Sequence, residues 1–256
     1  MKEKHINTIL VTGAGQRIGR AIALEMGRNG WQVAIHFNSS SSDAGTVVDE
    51  ITDAGGVAIA VQADLTDEVA VSSLIPNISR KLGPVSAVIN NASIFEEDSV
   101  ESATKLSWDN HMAVNLRAPF ILIQSLVKHL PKTKKANVIN ILDQRVENLT
   151  PHFTTYTLSK TALWTLTKTA AAALAPLVRV NAIGPGPTLP SSRQSQEQFE
   201  KQVMLTPLQE QVSLTEICNA VQFILVSSSM TGQLLTLDSG QHLGWAQAGN
   251  TADLNE

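Results

Sequence analysis

The chain has 256 residues, 43% of them hydrophobic, and a formal net charge of −4 at pH 7. A chain of this length can bury a large core as a single domain, so we expect one domain over residues 1–256. The small negative charge, with no basic run beyond the cluster Lys132, Lys134 and Lys135, argues against a nucleic-acid partner.

The cysteine count and the hydropathy argue against a disulfide-stabilised protein and against a membrane-spanning one. The only cysteine, Cys218, lies in an apolar helical segment, so an internal disulfide is impossible and a core position is expected. The apolar run near Ala170 is interrupted by Pro176 and is too short to span a bilayer, and the N-terminal MKEKHIN has no apolar region. We expect a cytoplasmic protein with no membrane partner.

The first strand, turn and helix predict a phosphate site. Thr8 to Thr12 is a β-branched apolar run, the turn Gly13-Ala-Gly15-Gln-Arg17-Ile-Gly19 follows, and helical periodicity continues to Arg28. Glycines let the backbone approach a phosphate, and a helix start offers N–H groups and a positive dipole end. The spacing differs from G-x-G-x-x-G, so a plain connecting turn is the alternative.

The end of the second strand bears on the choice of cofactor. Gln32 to Phe37 is the strand, and Asn38, Ser39 and Ser40 follow it without any Asp or Glu. A carboxylate there would bind the ribose hydroxyls of NAD, whereas these side chains and Arg17 can donate to a 2′-phosphate. NADP is therefore favoured, and a flexible serine loop is the alternative.

Helices and strands then alternate with Gly and Pro breaks. They are expected at Asp43 to Ala54 (helix), Val57 to Gln62 (strand), Asp67 to Leu82 (helix) and Val85 to Asn90 (strand). This rhythm predicts an α/β fold with a parallel, doubly wound, Rossmann-like sheet flanked by helices. Ligands of such sheets bind at the carboxyl ends of the strands, where Asp64-Leu65 and Asn91-Ala92-Ser93 lie.

The middle of the chain predicts a catalytic pair. A long helix from about Leu106 to His129 contains Asn115, a poor helix former, and a strand from Asn137 to Leu142 ends at Asp143. On the next helix Tyr156, the only tyrosine, and Lys160 are four residues apart and share one face. A free phenol titrates near ~10, and a nearby cation favours the phenolate and so promotes proton exchange at neutral pH.

The last third predicts a lid and the edge of the sheet. A strand from Val178 to Ile183 precedes an irregular polar stretch, and we expect residues 188–211 to form a substrate lid. A helix from Leu214 to Ser227 and a strand from Leu234 to Leu237 follow. The apolar tail with Trp245 is a candidate subunit contact.

As an ordered set, several motifs resemble the short-chain dehydrogenase/reductase family over essentially the whole chain. They are Thr12-Gly13-x-x-x-x-x-Gly19, Asn90-Asn91-Ala92, Asn115, Tyr156-x-x-x-Lys160 and Pro185-Gly186. Within that family the chain looks most like the pteridine and dihydromonapterin reductases. Three departures from the usual pattern point there: Arg17 instead of the middle glycine, Ser93-Ile94-Phe95 instead of a glycine after Asn-Asn-Ala, and Asp143 instead of the serine.

The resemblance implies roles for individual residues. Tyr156 would be the proton donor, Lys160 would lower its pKa and hold the nicotinamide ribose, Asp143 would be the acidic partner, and Asn115 would support Lys160 through water. Phe95 would stack on the pterin, with hydrogen bonds from Arg17 and Ser93. The cofactor would contact Tyr156, Lys160 and the following set: Gly13, Arg17, Ile18, Gly19, Asn38, Ser39, Ser40, Asp64, Leu65, Asn91, Ala92, Pro185, Gly186 and Thr188.

We therefore expect an NADPH-dependent reductase of a pterin that needs no metal. One alternative is a reductase or dehydrogenase of an ordinary carbonyl or alcohol, such as a 3-oxoacyl compound, in which Asp143 only replaces serine. Another is an NADP-binding scaffold protein without catalysis. Resemblance alone also implies a homotetramer.

Overall fold

Residues 7–191 and 193–244 are described by the computed structural model of the chain. These residues form a seven-stranded sheet with the order β3-β2-β1-β4-β5-β6-β7, in which every neighbouring pair is parallel. The strands are β1 (Thr8–Val11), β2 (Gln32–Phe37), β3 (Val57–Gln62), β4 (Val85–Asn90), β5 (Ala136–Ile141), β6 (Val178–Pro185) and β7 (Leu234–Leu237). The predicted doubly wound, Rossmann-like sheet is confirmed.

Helices cover both faces of this sheet. They are α1 (Arg17–Arg28), α2 (Ser41–Asp53), α3 (Glu68–Leu82), α4 (Lys105–Met112), α5 (Ala118–His129), α6 (Thr154–Leu174), α7 (Gln196–Met204) and α8 (Leu214–Val226). Because side chains alternate along a strand, Ile9 and Val11 of β1 face the core under α1, α2 and α8, whereas Leu10 faces the core under α3 and α5. Cys218 is buried in the first of these cores, as predicted.

The strand order places the ligand crevice. The chain leaves β1 toward β2 and β3 on one side, and it returns to place β4 to β7 on the other. Ligands of open parallel sheets bind where the winding reverses, at the carboxyl ends of the strands. Here that point lies between β1 and β4, so the glycine turn after β1 and the Asn91 segment after β4 face each other.

The prediction of one continuous helix from Leu106 to His129 is wrong, because the helix is interrupted. The segment consists of α4 and α5 joined by a π-helical turn, Ala113–Arg117, with Asn115 inside it. A π turn carries one extra residue and is frequent at functional sites. The Asn115 amide is bonded to the segment after β4, and this tertiary contact overrides the regular α-helical pattern.

The predicted lid is less irregular than expected. Residues 188–211 contain α7, whose N-cap Ser195 makes reciprocal bonds with Gln198. This Ser-x-x-Gln capping box, followed by the buried Phe199, is a sequence pattern typical of a helix N-terminus, so the helix could have been predicted. Trp245 lies outside the described residues, so its predicted subunit contact remains a prediction.

Candidate active site

Tyr156 and Asp143 meet at the carboxyl end of β5. The Tyr156 hydroxyl donates to Asp143 Oδ2 at 2.9 Å. Asp143 is fixed because it caps the short 3₁₀ turn Gln144–Val146, where its Oδ1 accepts from Arg145 N at 2.8 Å. The structure thus brings together two residues that a 3₁₀ turn and a loop separate in the chain.

Lys160 lies one turn further along α6 and is buried. Its Nζ donates to Ile141 O at 2.8 Å and lies 5.7 Å from the centre of the Tyr156 ring. Burial lowers the Lys160 pKa to about 8, and the Asp143 carboxylate opposes this shift because it favours the ammonium. Lys160 is therefore charged at neutral pH, and it loses this charge as the pH rises above about 8.

Arg145 is a second cation at the site, and sequence reasoning missed it. The residue is only 6% exposed, and its Nε lies 3.9 Å from Asp143 Oδ1. Its guanidinium carbon lies 5.0 Å from the centre of the Phe153 ring, and its Nη1 donates to Thr150 Oγ1 at 3.0 Å. The Asp143 carboxylate consequently lies near two cationic side chains, Arg145 and Lys160.

Asn115 connects the segment after β4 with α6. Its Oδ1 accepts from Ile94 N and Ser93 Oγ, and its Nδ2 donates to Ile94 O and to Ser159 Oγ. Ser159 in turn donates to Tyr156 O at 2.6 Å. These bonds hold the backbone around Tyr156, whereas the expected support of Lys160 through water remains a prediction.

Phe95 lies beside Tyr156, and its expected stacking on a pterin remains a prediction. Its ring stacks on the Phe153 ring at 4.3 Å between centres and meets the Tyr156 ring edge to face at 4.7 Å. Phe153, fully buried and at a left-handed φ of 56°, is a further site residue that sequence reasoning missed. Arg193 of the lid segment donates from Nη1 to Phe95 O at 2.9 Å, so it connects this segment to the aromatic pair.

Arg17 and Thr188 organise the lid segment. Arg17, exposed and at φ 53°, donates to Pro190 O at 2.8 Å and Leu189 O at 3.2 Å. Thr188 Oγ1 donates to Gly186 O, and Gln211 Nε2 donates to Thr188 O. Arg17 therefore joins the glycine turn to the lid, and its expected bonds to a pterin or phosphate remain predictions.

The glycine turn is packed too closely for side chains. A Cβ on Gly19 would lie 2.2 Å from Gly13 O, and one on Gly13, at φ 62°, would lie 3.0 Å from Ala92 Cα. Asn91 Nδ2 donates to Thr12 O and Gly13 O, so it holds the turn from the neighbouring strand.

The Gln16 side chain does not cap α1 and donates instead to Asp43 Oδ2. Ile18, also expected at the cofactor, packs against the core beneath α1.

His36 ties this turn to the next two strands, a role that the sequence did not reveal. Its Nδ1 accepts from Gly13 N at 3.2 Å, so the ring proton is on Nε2, which donates to Ala63 O at 3.1 Å. Burial lowers the His36 pKa to about 4, so the ring is neutral at pH 7. A neutral imidazole with this tautomer satisfies both neighbours.

The edge beyond β2 is exposed and carries no acid beside the end of the strand. Asn38, Ser39 and Ser40 are exposed, and the first acid after β2 is Asp43. The side chain of Leu65 is buried in the core. Asp64 Oδ1 accepts from Thr66 N and Thr66 Oγ1 at 2.8 Å each, and these bonds lower the Asp64 pKa.

Metal sites and membrane spans are both absent from the described part of the chain. Within residues 7–191 and 193–244, His, Cys, Asp and Glu form no group that could hold a metal ion. Over the same residues, every helix is too short or too polar to cross a membrane.

Comparisons with known proteins agree with this geometry. Residues 7–201 match the family model described as short chain dehydrogenase. The 3-oxoacyl-[acyl-carrier-protein] reductase FabG of Staphylococcus aureus is 29% identical over 94% of this chain and 100% of its own length.

Two crystal structures are more similar in sequence. FolM alternative dihydrofolate reductase 1 from Brucella canis, complexed with NADP, is 46% identical with a TM-score of 0.92 over 96% of this chain and 97% of its own. Its counterpart from Brucella suis, also with NADP, is 46% identical with a TM-score of 0.91 over 97% of this chain and 98% of its own. The protein therefore belongs to the short-chain dehydrogenase family.

Proposed function

We propose that this protein is an NADPH-dependent reductase of a dihydropterin, with Tyr156 as the proton donor. The observation that carries the proposal is the bond from Tyr156 OH to Asp143 Oδ2, made beside the ring of Phe95. An acid stands where most family members carry a hydroxyl, and the Phe95 ring meets the Tyr156 ring edge to face. The FolM neighbours, named as dihydrofolate reductases, support a pterin ring as the substrate.

The residues around the glycine turn fit a dinucleotide phosphate. Gly13 and Gly19 let the turn close tightly without a Cβ clash, and α1 presents its uncapped first turn, with free N–H groups, at that place. Asn38, Ser39 and Ser40 provide donors without an adjacent acid, which fits a 2′-phosphate. When bound, NADPH supplies the hydride.

Tyr156, Asp143 and Lys160 deliver the proton that the reaction needs. As hydride arrives at a ring carbon, the adjacent pterin nitrogen needs a proton, and the Tyr156 hydroxyl is the donor. The Lys160 ammonium stabilises the phenolate that remains. Tyr156 already donates to the Asp143 carboxylate, so the oxygen that delivers the proton is held in place before substrate binds.

The substrate ring is expected to use the aromatic platform. Phe153 covers one face of Phe95, and Arg145 and Arg193 lie 5.8 Å and 4.9 Å from the Phe95 ring centre. A pterin stacked here lies within reach of Tyr156, whose ring meets Phe95 edge to face. Aromatic stacking of this kind contributes about 1 kcal/mol beyond area burial.

A second candidate is reduction of a 3-oxoacyl thioester. The FabG relative, which the chain covers over its full length, favours it. In that case Asp143 would only polarise the substrate oxygen, as serine does elsewhere in the family.

Oxidation of NADPH with a substrate panel separates the candidates. The panel contains 7,8-dihydropterins, dihydrofolate, quinonoid pterins, simple ketones and a 3-oxoacyl thioester. We expect turnover with a dihydropterin and little with the ketones or the thioester. Turnover of the thioester alone would replace the proposal by the second candidate, and cofactor binding without any turnover would favour the scaffold alternative.

We also propose a homotetramer. A mostly apolar groove lies on the helices around Asn115 and on the helix of Tyr156; it is lined by Met112, Ala113, Leu116, Phe120 and Leu166, with Asp109 and Arg117 as its charged residues. A second copy of α4, α5 and α6 is the expected occupant. Light scattering at micromolar concentration tests this, and a monomeric mass would overturn it.

A further inference from the structure

Helix α6, which carries Tyr156 and Lys160, begins without a cap from its own segment. Its N-cap residue, Phe153, is left-handed and provides no side-chain bond. Asp98, from the segment after β4, supplies the cap instead. Asp98 Oδ1 accepts from Thr155 N at 2.9 Å, and Asp98 O accepts from Thr154 N at 3.2 Å.

The same carboxylate is bonded to a buried hydroxyl. Thr155 Oγ1 donates to Asp98 Oδ2 at 2.5 Å, and Ser107 Oγ of α4 donates to the same oxygen at 3.1 Å. Asp98 is 6% exposed, so its charge is balanced by these donors and by the positive end of the α6 dipole.

His111 extends this network to the Phe95 segment. Its Nε2 accepts from Glu96 N at 3.2 Å, so the ring proton is on Nδ1, which donates to Thr155 Oγ1 at 2.7 Å. The His111 side chain is fully buried, and burial is the main cause that lowers its pKa. The neutral ring uses one nitrogen as donor and the other as acceptor.

The two ends of the network adjoin the proposed catalytic and stacking residues. Glu96 follows Phe95 in the chain, and Thr155 precedes Tyr156. The rings of Phe95 and Tyr156 lie 4.7 Å apart with planes at 68°. A chain of buried hydrogen bonds thus connects the backbone beside one ring to the helix turn that carries the other.

We propose that Asp98, Thr155 and His111 are positioning residues that hold the Tyr156 hydroxyl at a fixed place relative to the Phe95 ring. The proposal rests on the proposed role of Tyr156 but not on which substrate is reduced. Small displacements of a proton donor are costly, because proton transfer requires hydrogen-bond reach.

The test compares Thr155→Val with Thr155→Ser. Valine keeps the side-chain volume and the backbone bond to Asp98, but it removes the hydroxyl between His111 and Asp98. We expect Thr155→Val to lower kcat about tenfold with NADPH affinity unchanged, and Thr155→Ser to stay within about twofold of wild type. The substrate is whichever one the wild type reduces best.

Thr167→Val is the matched control on the same helix. Thr167 is fully buried, and its hydroxyl accepts from Asn140 Nδ2 at 2.8 Å and donates to Leu163 O at 2.8 Å. We expect it to lower Tm about as much as Thr155→Val does, with kcat within about twofold of wild type. A purely structural role for Thr155 predicts that both valine variants lose stability alike and retain the wild-type kcat, and this result would overturn the proposal.

Hydrogen exchange gives a readout that needs no substrate. We expect the Glu96 amide to exchange faster in Thr155→Val but not in Thr167→Val, because only the first loosens His111. If Thr155→Val does not fold, His111→Asn replaces it, since asparagine can still donate to Thr155 but is too short to place an acceptor where Nε2 accepts from Glu96. Unchanged exchange at Glu96 in the folded variant would overturn the proposal. A wild type that fails to reduce dihydropterins would overturn only the proposed substrate.

Discussion

The Tyr156 hydroxyl and the Asp143 carboxylate share a hydrogen bond of 2.9 Å, and the other oxygen of Asp143 accepts from Arg145 N. Lys160 is buried on the same helix as Tyr156 and bonds the backbone of the strand that leads to Asp143. The phenol is thus placed between an acidic partner and a cation. This arrangement suits a site that must deliver one proton to a substrate nitrogen.

Replacing Asp143 by serine tests the value of the acid. Asp143→Ser restores the usual family residue, and we expect it to slow dihydropterin reduction about tenfold, or ~1.4 kcal/mol in the barrier. Because the carboxylate raises the pKa of Lys160, its loss should also lower the upper limit of the pH profile. Steady-state rates across pH check both effects, and an unchanged rate with an unchanged profile would make Asp143 only a polar substitute.

The pH profile of the wild type should report Lys160. Its pKa is about 8, below the ordinary value of 10.5, because burial disfavours the ammonium. The side chain is charged below this pH and loses its charge as the pH rises through it. We therefore expect kcat/KM to fall above about pH 8. A rate that stays constant to about pH 10 would contradict this role for the cation.

The cofactor preference should depend on the edge after β2. We expect a higher kcat/KM with NADPH than with NADH, because Asn38, Ser39 and Ser40 carry no charge that repels a 2′-phosphate. Ser39→Asp should reduce the preference, while Ser229→Asp, on a distant exposed turn, should not. Equal kcat/KM for both cofactors in the wild type would show that this edge forms no useful phosphate site.

His36 should make the protein less stable in acid. Its folded pKa of about 4 is below the ordinary 6.5, so the unfolded chain binds a proton first as the pH falls. Stability is therefore lost between about pH 6.5 and 4, up to about 3 kcal/mol from this residue. Urea unfolding at several pH values checks this, with His129→Gln on the exposed end of α5 as the control. His36→Gln should show a weaker pH dependence than wild type, and an identical dependence would contradict the account.

Local patterns in the sequence predicted most of the fold and the central pair. Strands alternate with helices at regular intervals, and glycines and prolines mark the breaks. Tyr156 and Lys160 lie on one helix at a spacing that fixes their common face, so a local pattern was enough to pair them. Asp143 was assigned to the site through the family resemblance, because it stands where most members carry a serine.

Two residues that the sequence did not reveal, His36 and Asp98, act through contacts between distant segments. His36 bonds Gly13 and Ala63, and Asp98 caps α6 at Thr155, 57 residues later in the chain. No periodicity or spacing signals such a partner. The π turn at Asn115 was not predicted for the same reason, since it depends on hydrogen bonds between Asn115 and the distant Ile94.

The central claim is that the protein reduces a dihydropterin with Tyr156 as the proton donor. Its most direct test is the single-turnover oxidation of bound NADPH by a dihydropterin in wild type and Tyr156→Phe, with NADPH affinity measured in parallel. We predict a loss of at least about 100-fold in the variant, with nearly unchanged NADPH binding, because only the proton-delivering oxygen is removed. Retention of more than about a tenth of the wild-type rate would contradict the assigned role.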